Sequence, residues 1–555
     1  MTKFTKTLFS CVMALSIAGC GVRVTNEDNM SHDDAVAELT SLMKKVPVNE
    51  VKNPTMDIYS DEVKETDVLA DINTFDLTVV GDGDINIELA GATEMTGTDA
   101  PDDFLTVVAK KFNRENHTIN GKKVTVSVRK MASGEVLTYV KANAYHPDMY
   151  VPSASMWGDM MVSSGVGAQL VSERLAGDTA GVLMKKDVYN DFIDKYKEAT
   201  LPNILTAAIN GDVTFAYTNP YTSTTGLNGT AAILNAFDSN DMLSDTAAEK
   251  MLEYQKTAPP VAYTTTVLRN QAEKGLIDTM LMEAQAYTNS IELKGYEFIP
   301  FGIRHDHPVY TFDYCSEEKK EAVQMFTEYC LNDENQKLAT EKGFNQNNDY
   351  KSVDYGLDGT GWMNVQKVWK QSKNGGKPVI AVFVADVSGS MDGEPLNSLK
   401  SSLVSTSSFI SSDNYIGLVS YSDDVTINLP IEQFDAKQRA YFSGEVKNLT
   451  AGGMTATYDA VLTALNMMNE KAKEVPDAKM MLFVLSDGIQ NEGYKFDRIK
   501  PVVAGMDVPV YSIAYNYDDA GGELYRLSSI NEAALIKADS DDVVNQLRNL
   551  FKVEM

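Results

Sequence analysis

The chain has 555 residues, 43% of them hydrophobic and 23% charged, which supplies apolar material for two or three cores. Its 78 acidic against 49 basic residues leave a net charge of −29. That balance excludes nucleic acid and a polybasic membrane surface, both of which need clustered Lys and Arg. No phosphate loop, dinucleotide fingerprint, heptad array or internal repeat occurs, and no serine stands in a nucleophile elbow, so the sequence points to a binding protein and not to an enzyme.

The amino terminus runs Met1-Thr2-Lys3-Phe4-Thr5-Lys6 and then through an apolar stretch from Leu8 to Ala18. At about 11 residues that stretch is too short to span a membrane and suits a secretory signal. Ile17-Ala18-Gly19-Cys20 resembles the bacterial lipobox. The resemblance implies a signal peptide over 1–19, cleavage before Cys20, and lipidation of its thiol by palmitate-like chains. Several acyl chains on one cysteine make a stable anchor, which places the protein on the extracytoplasmic face of the cell envelope.

Residues 20–83 are rich in Asp, Glu, Asn and Thr and read as an acidic spacer. One short helix interrupts it, where Ser31-His32-Asp33-Asp34 leads into Ala35, Val36, Leu39, Leu42 and Met43.

From Asp84 the pattern changes. Ile85 to Leu89 alternates as a strand, Phe104, Leu105, Val108 and Phe112 mark a helix, and Val124 to Val128 alternates again. Strand, helix, strand is a parallel α/β unit. Five strings in order resemble the two-lobed extracellular solute-binding proteins that serve ATP-driven importers. They are Ala90-Gly91-Ala92-Thr93-Glu94-Met95, Ala132-Ser133-Gly134, Pro147-Asp148 through Ser155, Tyr217 through Gly226, and Asp333 to Ala339 with Gly343-Phe344. The resemblance covers 84–360 and implies two lobes joined by crossing strands near 180 and 285, with a ligand held between them. Hydroxyls and free N–H groups at helix starts form cradles for a small polar or anionic solute. This gives Thr93, Ser133, Ser153, Ser155, Thr222 and Ser223 a role, with Glu283 and Gln285 as further pocket residues.

Cys315 and Cys330 flank a capped amphipathic helix that separates them by roughly 20 Å, beyond disulfide reach, so they are expected as buried free thiols unless they pair between chains. His305-Asp306-His307 puts two imidazoles on one side of a strand, a candidate zinc pair with no third ligand in view. Gly, Asn and Ser punctuate residues 361–376, a connecting segment in which Trp362, Val365, Val368 and Trp369 share a helical face. That helix belongs either to an interface or to the preceding domain.

The apolar run Val379 to Ala385 ends in Asp386-Val387-Ser388-Gly389-Ser390, and Met480 to Leu485 ends in Ser486-Asp487-Gly488. Two buried parallel strands thus deliver aspartates to one crevice at their carboxyl ends. Asp-x-Ser-x-Ser, Thr455 at the start of the next helix and the later Ser-Asp-Gly resemble the von Willebrand factor A domain over 377–555. The resemblance implies a doubly wound, Rossmann-like fold and a metal-ion-dependent adhesion site made by Asp386, Ser388, Ser390, Thr455 and Asp487. Hard oxygen donors suit Mg²⁺, or Mn²⁺, with one position left for an acidic residue of a protein partner.

Together these readings describe a lipid-anchored binding protein that makes an Mg²⁺-dependent, adhesion-type contact. The alternative is a solute receptor for an ABC-type importer with an accessory A domain.

Overall fold

The computed structural model describes residues 30–57, 69, 71–257, 259, 261–262, 265, 268–269, 272, 277–407, 410–487, 490–515, 522–531, 535–538, 547 and 555. The signal-like segment and Cys20 lie outside them. Two compact units result: residues 64–376 form one, and residues 1–63 with 377–555 form the other.

The segment expected to be a spacer is folded. Ser31 caps the His32–Met43 helix by accepting from the Asp34 N–H at 3.2 Å, and strand β1 (Val48–Glu50) follows. Both belong to the unit that holds residues 377–555. A helix with an apolar stripe must bury it against a partner. Here the partner is supplied by residues far along the chain.

The 64–376 unit has two lobes. In the first, β3 (Ile85–Gly91) lies parallel to β5 (Lys122–Lys130) and β6 (Met149–Val151), with the Phe104–Arg114 helix as the crossover. β2 (Leu77–Val79), also within the expected spacer, pairs with β5, as does the short β4 (Thr118–Ile119). β13 (Val309–Phe312) runs antiparallel between β6 and β7 (Ala168–Ser172). In the second lobe, β8 (Asp178–Lys185) is antiparallel to both β11 (Thr279–Glu283) and β12 (Tyr296–His305), while β9 (Phe215–Thr218) lies parallel to β11 and to β10 (Val261–Ala262).

The chain therefore passes between lobes at 173–177 and 306–308. The second passage falls after β12 and not near 285, because β11 and β12 both remain in the second sheet as partners of β8. The Leu175 N–H donates to the carbonyls of Asp306 and His307, each at 3.1 Å, and so ties the two passages together.

One apolar core runs through both lobes. Met131, Val136 and Trp157 enter it from the first, Val182, Phe215, Tyr217 and Leu227 from the second. The Gly359–Ser372 helix adds Trp362, Val365 and Trp369 and packs on the Met156–Ser163 helix of the first lobe and the Thr224–Phe237 and Asp245–Gln255 helices of the second. Residues 361–376, read as a connector, thus belong to this unit. Cys315 precedes the Glu317–Cys330 helix and Cys330 ends it, and both are buried free thiols, as their spacing predicts.

The other unit is one seven-stranded sheet in the order β1-β16-β15-β14-β17-β18-β19. β14 (Val379–Asp386), β15 (Tyr415–Tyr421), β17 (Lys479–Ser486), β18 (Val510–Tyr515) and β19 (Leu535–Ala538) are parallel, and β16 (Val425–Gln433) returns antiparallel to β15. Apolar clusters cover both faces, so β14 reads as a continuous hydrophobic run with all eight residues buried.

The His32–Met43 helix lies on one face against the Thr457–Ala472 and Phe496–Met506 helices, burying Ala35, Leu39 and Leu42. β1 pairs in parallel with β16, Val48 opposite Val425. Beyond it the Thr55 N–H donates to Glu445 Oε1 at 2.6 Å, and Lys447 pairs with Asp57 at 2.5 Å.

Candidate functional site

At the carboxyl edge of the parallel sheet, Asp386 is the last residue of β14 and Asp487 follows β17 directly. The Ser388 and Ser390 hydroxyls lie 3.1 Å apart, and Ser390 donates to Asp487 Oδ1 at 2.8 Å. The Ser388 N–H donates to Asp386 Oδ1 at 2.8 Å. Four of the five expected residues thus form one hydrogen-bonded chain.

Thr455 is held beside them through its loop. The Gly452 N–H donates to Val387 O at 2.8 Å and the Gly389 N–H to Gly453 O at 3.0 Å, lacing the Thr455 loop to the Ser388 loop. Gly453 has φ +86°, and a Cβ there would lie 2.0 Å from the Asp423 carboxylate, so this turn requires glycine. The Thr455 N–H donates to Asn491 Oδ1 at 2.8 Å.

Two residues that sequence reading missed hold Asp386 from behind. Tyr421, at the end of β15, donates its hydroxyl to Asp386 Oδ2 at 3.3 Å, and Ser486, at the end of β17, does so at 2.5 Å. Their signal was positional: each ends a strand at the same edge. Burial pushes the Asp386 carboxyl up and the Asp487 charge adds to this, against the donors from Ser486 and Ser388.

The donor set is three hydroxyls and two carboxylates, all oxygen, which fits a hard divalent cation and not a thiolate- or imidazole-seeking one. No three His, Cys, Asp or Glu converge on a metal position among the described residues. A cation at this edge therefore depends on the hydroxyls as much as on Asp386 and Asp487.

In the two-lobed unit, Ser133 opens the Ser133–Lys141 helix and accepts from the Ser153 N–H at 3.3 Å. Glu94 and His307, absent from the expected pocket, join them. Ser153 donates to Glu94 Oε1 at 2.5 Å, and His307 Nε2 lies 3.2 Å from the same oxygen, with its Nδ1 2.9 Å from Ala176 O. Thr93 is half-buried beside Glu94.

From the second lobe, Thr225 donates to the Glu283 carboxylate, and the Gln285 N–H donates to Asp178 Oδ1 at 3.1 Å. Ser223 is a helix cap, accepting from the Gly226 N–H at 3.3 Å. Thr222 is buried, and its carbonyl accepts from the Gly134 N–H of the first lobe at 3.3 Å. Trp157 Nε1 to Thr224 at 2.8 Å and Arg269 to Asp102 at 3.0 Å are further bonds from lobe to lobe. Ser155 does not join this group. It is exposed and lines a separate cavity.

The buried carboxyl groups of this cluster differ in charge state. Burial works against the Glu94 charge, but His307 and Ser153 outweigh it and bring the carboxyl down to about 2. Burial and then the Glu94 charge push Glu283 up to about 7. Asp178 is raised well above the ordinary carboxyl range, by burial above all. His307 thus offsets the Glu94 charge, while Glu283 and Asp178 are driven toward their protonated, uncharged forms.

His305-Asp306-His307 is not a zinc pair. His305 closes β12 with Nε2 3.2 Å from Asn228 Nδ2, whereas His307, at φ +46°, turns to Glu94. Burial, with His307 nearby, lowers His305 to about 3.

Because the Glu283 carboxyl titrates higher in the folded state than its ordinary 4.5, its contribution to stability is full below that pH and is lost as pH rises through about 7. Glu283→Gln keeps an acceptor for Thr225 without titrating. It is expected to match the wild type near pH 4.5 and to be more stable at pH 8, by at most about 3 kcal/mol, in urea unfolding at the two pH values. An equal difference at both would contradict this.

Residues 381–551 match the family model of the von Willebrand factor type A domain, and residues 95–345 match that of the bacterial extracellular solute-binding proteins. The chain therefore joins a solute-binding domain of that type to a carboxy-terminal von Willebrand factor A domain. It is 31% identical over 155 residues to inter-alpha-trypsin inhibitor heavy chain H3 of Bos taurus, covering 25% of this chain and 17% of that one. The Mus musculus heavy chain H3 is 28% identical over 186 residues, covering 30% and 20%. The chain thus spans 17% to 20% of the length of these curated relatives.

Among solved structures, iron-bound HitA from Pseudomonas aeruginosa is similar at 14% identity and a TM-score of 0.39, over 53% of this chain and 99% of that one. A von Willebrand factor type A structure from Catenulispora acidiphila is similar at 16% identity and a TM-score of 0.29, over 32% of this chain and 42% of that one.

Proposed function

We propose that this is an extracytoplasmic binding protein, anchored by lipid at Cys20, whose A domain takes one Mg²⁺ or Mn²⁺ and through it an acidic residue of a protein partner. It acts by binding and not by catalysis. The observation that carries this reading is the chain Asp386, Ser388, Ser390, Asp487 at the carboxyl ends of adjacent parallel strands, with Thr455 laced beside it. When bound, the cation supplies a Lewis-acidic position for a carboxylate. The residues themselves orient the donors: Tyr421 and Ser486 occupy one oxygen of Asp386, and Ser390 turns Asp487 into the site.

The reading as an importer's solute receptor is the second one. A receptor of that kind works by opening and closing on its ligand. The apolar core through both lobes and the Gly359–Ser372 helix spanning them favour a closed module that serves as a scaffold.

A cation that binds only the folded state stabilises it by about 2.7 kcal/mol at ~100 times its Kd. Excess MgCl₂ is therefore expected to raise the melting temperature of the full chain and to leave that of Ser388→Ala unchanged. An equal rise in both would refute the site.

A further inference from the structure

The 64–376 unit contains a cavity of about 520 Å³ apart from the Glu94 and Ser153 group. Neighbouring residues of the same segments serve the two places. Ser153 bonds Glu94 while Ser155 lines the cavity, and His307 turns to Glu94 while Asp306 and Pro308 line the cavity.

Tyr310, Tyr355 and Trp362 make aromatic walls, the last two edge to face with ring centroids 6.1 Å apart. Four carboxylates and one cation also line it: Asp159, Glu173, Asp306, Asp354 and Arg304. Arg304 Nε donates to Asp306 Oδ1 at 3.0 Å and its Nη1 to Asn347 O at 2.7 Å, while its buried Nη2 has no partner among the described residues. Asp159, Glu173 and Asp354 have no basic partner among the described residues.

Asp354 Oδ1 accepts from the Gly356 N–H at 2.9 Å, but four carboxylates against one guanidinium leave the lining net negative, so a neutral apolar guest would strip water from charged groups and an anion would be repelled. Among the described residues no three acidic groups converge as a metal ion requires. An ammonium group meets both features at once, because carboxylates pair with it and aromatic faces attract it.

We propose that this cavity binds small organic cations, amines whose ammonium groups pair with Asp159, Glu173 and Asp354 while their carbon chain lies on Tyr310, Tyr355 and Trp362. Burial and the nearby Asp358 charge push the Asp159 carboxyl up, a state that a bound ammonium would reverse. The cavity is lined by both interlobe passages, through Glu173 and Asp306, so its occupant would brace the junction of the lobes.

The test is calorimetric titration of spermidine into the full chain at physiological ionic strength, for wild type and for Asp159→Asn/Glu173→Gln. Saturable one-to-one binding, weakened roughly tenfold or more in the double variant, supports the site. Absence of saturable binding overturns it. So does equal binding to both proteins, which would mean that the polyamine merely coats an acidic surface. Asp354→Asn, at an exposed residue, provides the same comparison if the double variant does not fold.

Discussion

Deleting residues 30–57 is expected to leave the A-domain unit unfolded or aggregating, although the deleted stretch precedes β14 by an entire domain in sequence. Leu39, Leu42 and Val46 are buried in its core with Ala35. Each large side chain is worth about 1.5–3 kcal/mol of burial, and a whole domain is stable by only about 5–15 kcal/mol. The deletion would also bare the outer edge of β16, an invitation to pair with another chain. Leu39→Ala alone is expected to cost about 2–5 kcal/mol. Urea unfolding and apolar-dye binding check both. A deleted chain that unfolds at the wild-type midpoint would show the amino-terminal helix and β1 to be passengers.

Trp369→Ala is expected to destabilise the two-lobed unit by about 3–5 kcal/mol, since Trp369 is fully buried at the seam between lobes. Its Nε1 also donates to the Tyr217 hydroxyl at 2.8 Å, but Gln255 donates to the same hydroxyl at 2.5 Å, so the cost is mostly packing. The loss should loosen both lobes together. Hydrogen exchange is expected to rise in the Met156–Ser163 helix of the first lobe and in the Thr224–Phe237 helix of the second, which both pack on the Gly359–Ser372 helix. A rise confined to the Gly359–Ser372 helix itself would mean that it does not hold the lobes together.

The meeting of Asp386, Ser388, Ser390 and Asp487 was legible because the two aspartates stand at the ends of strands of unbroken apolar character, and a parallel sheet brings strand ends together. Tyr421 and Ser486 were not, since nothing local marks a tyrosine or serine as a donor to an aspartate in a neighbouring strand. Glu94 lay within a string already singled out, but the expectation there rested on the Thr93 hydroxyl, and nothing local marks Glu94 as the partner of Ser153 and His307. The helix at His32–Met43 was legible by its period and cap. Its destination was not, because a period says that a face is buried and not against what. The same holds for the Trp362 and Trp369 face, which packs on both lobes. The second passage between lobes was misplaced near 285 because alternation reveals a strand but not which sheet it joins, and β11 and β12 both pair with β8.

The central claim, that hydroxyls and carboxylates from three loops hold one divalent cation, is tested most directly by calorimetric titration of Mg²⁺ into the full chain, with residues 30–57 present. One saturable site per chain is expected for the wild type. The site should be lost in Ser388→Ala and in Asp487→Ala while circular dichroism shows both variants folded. A folded wild-type chain giving no saturable heat with Mg²⁺ or Mn²⁺, or variants that bind as it does, would contradict the account.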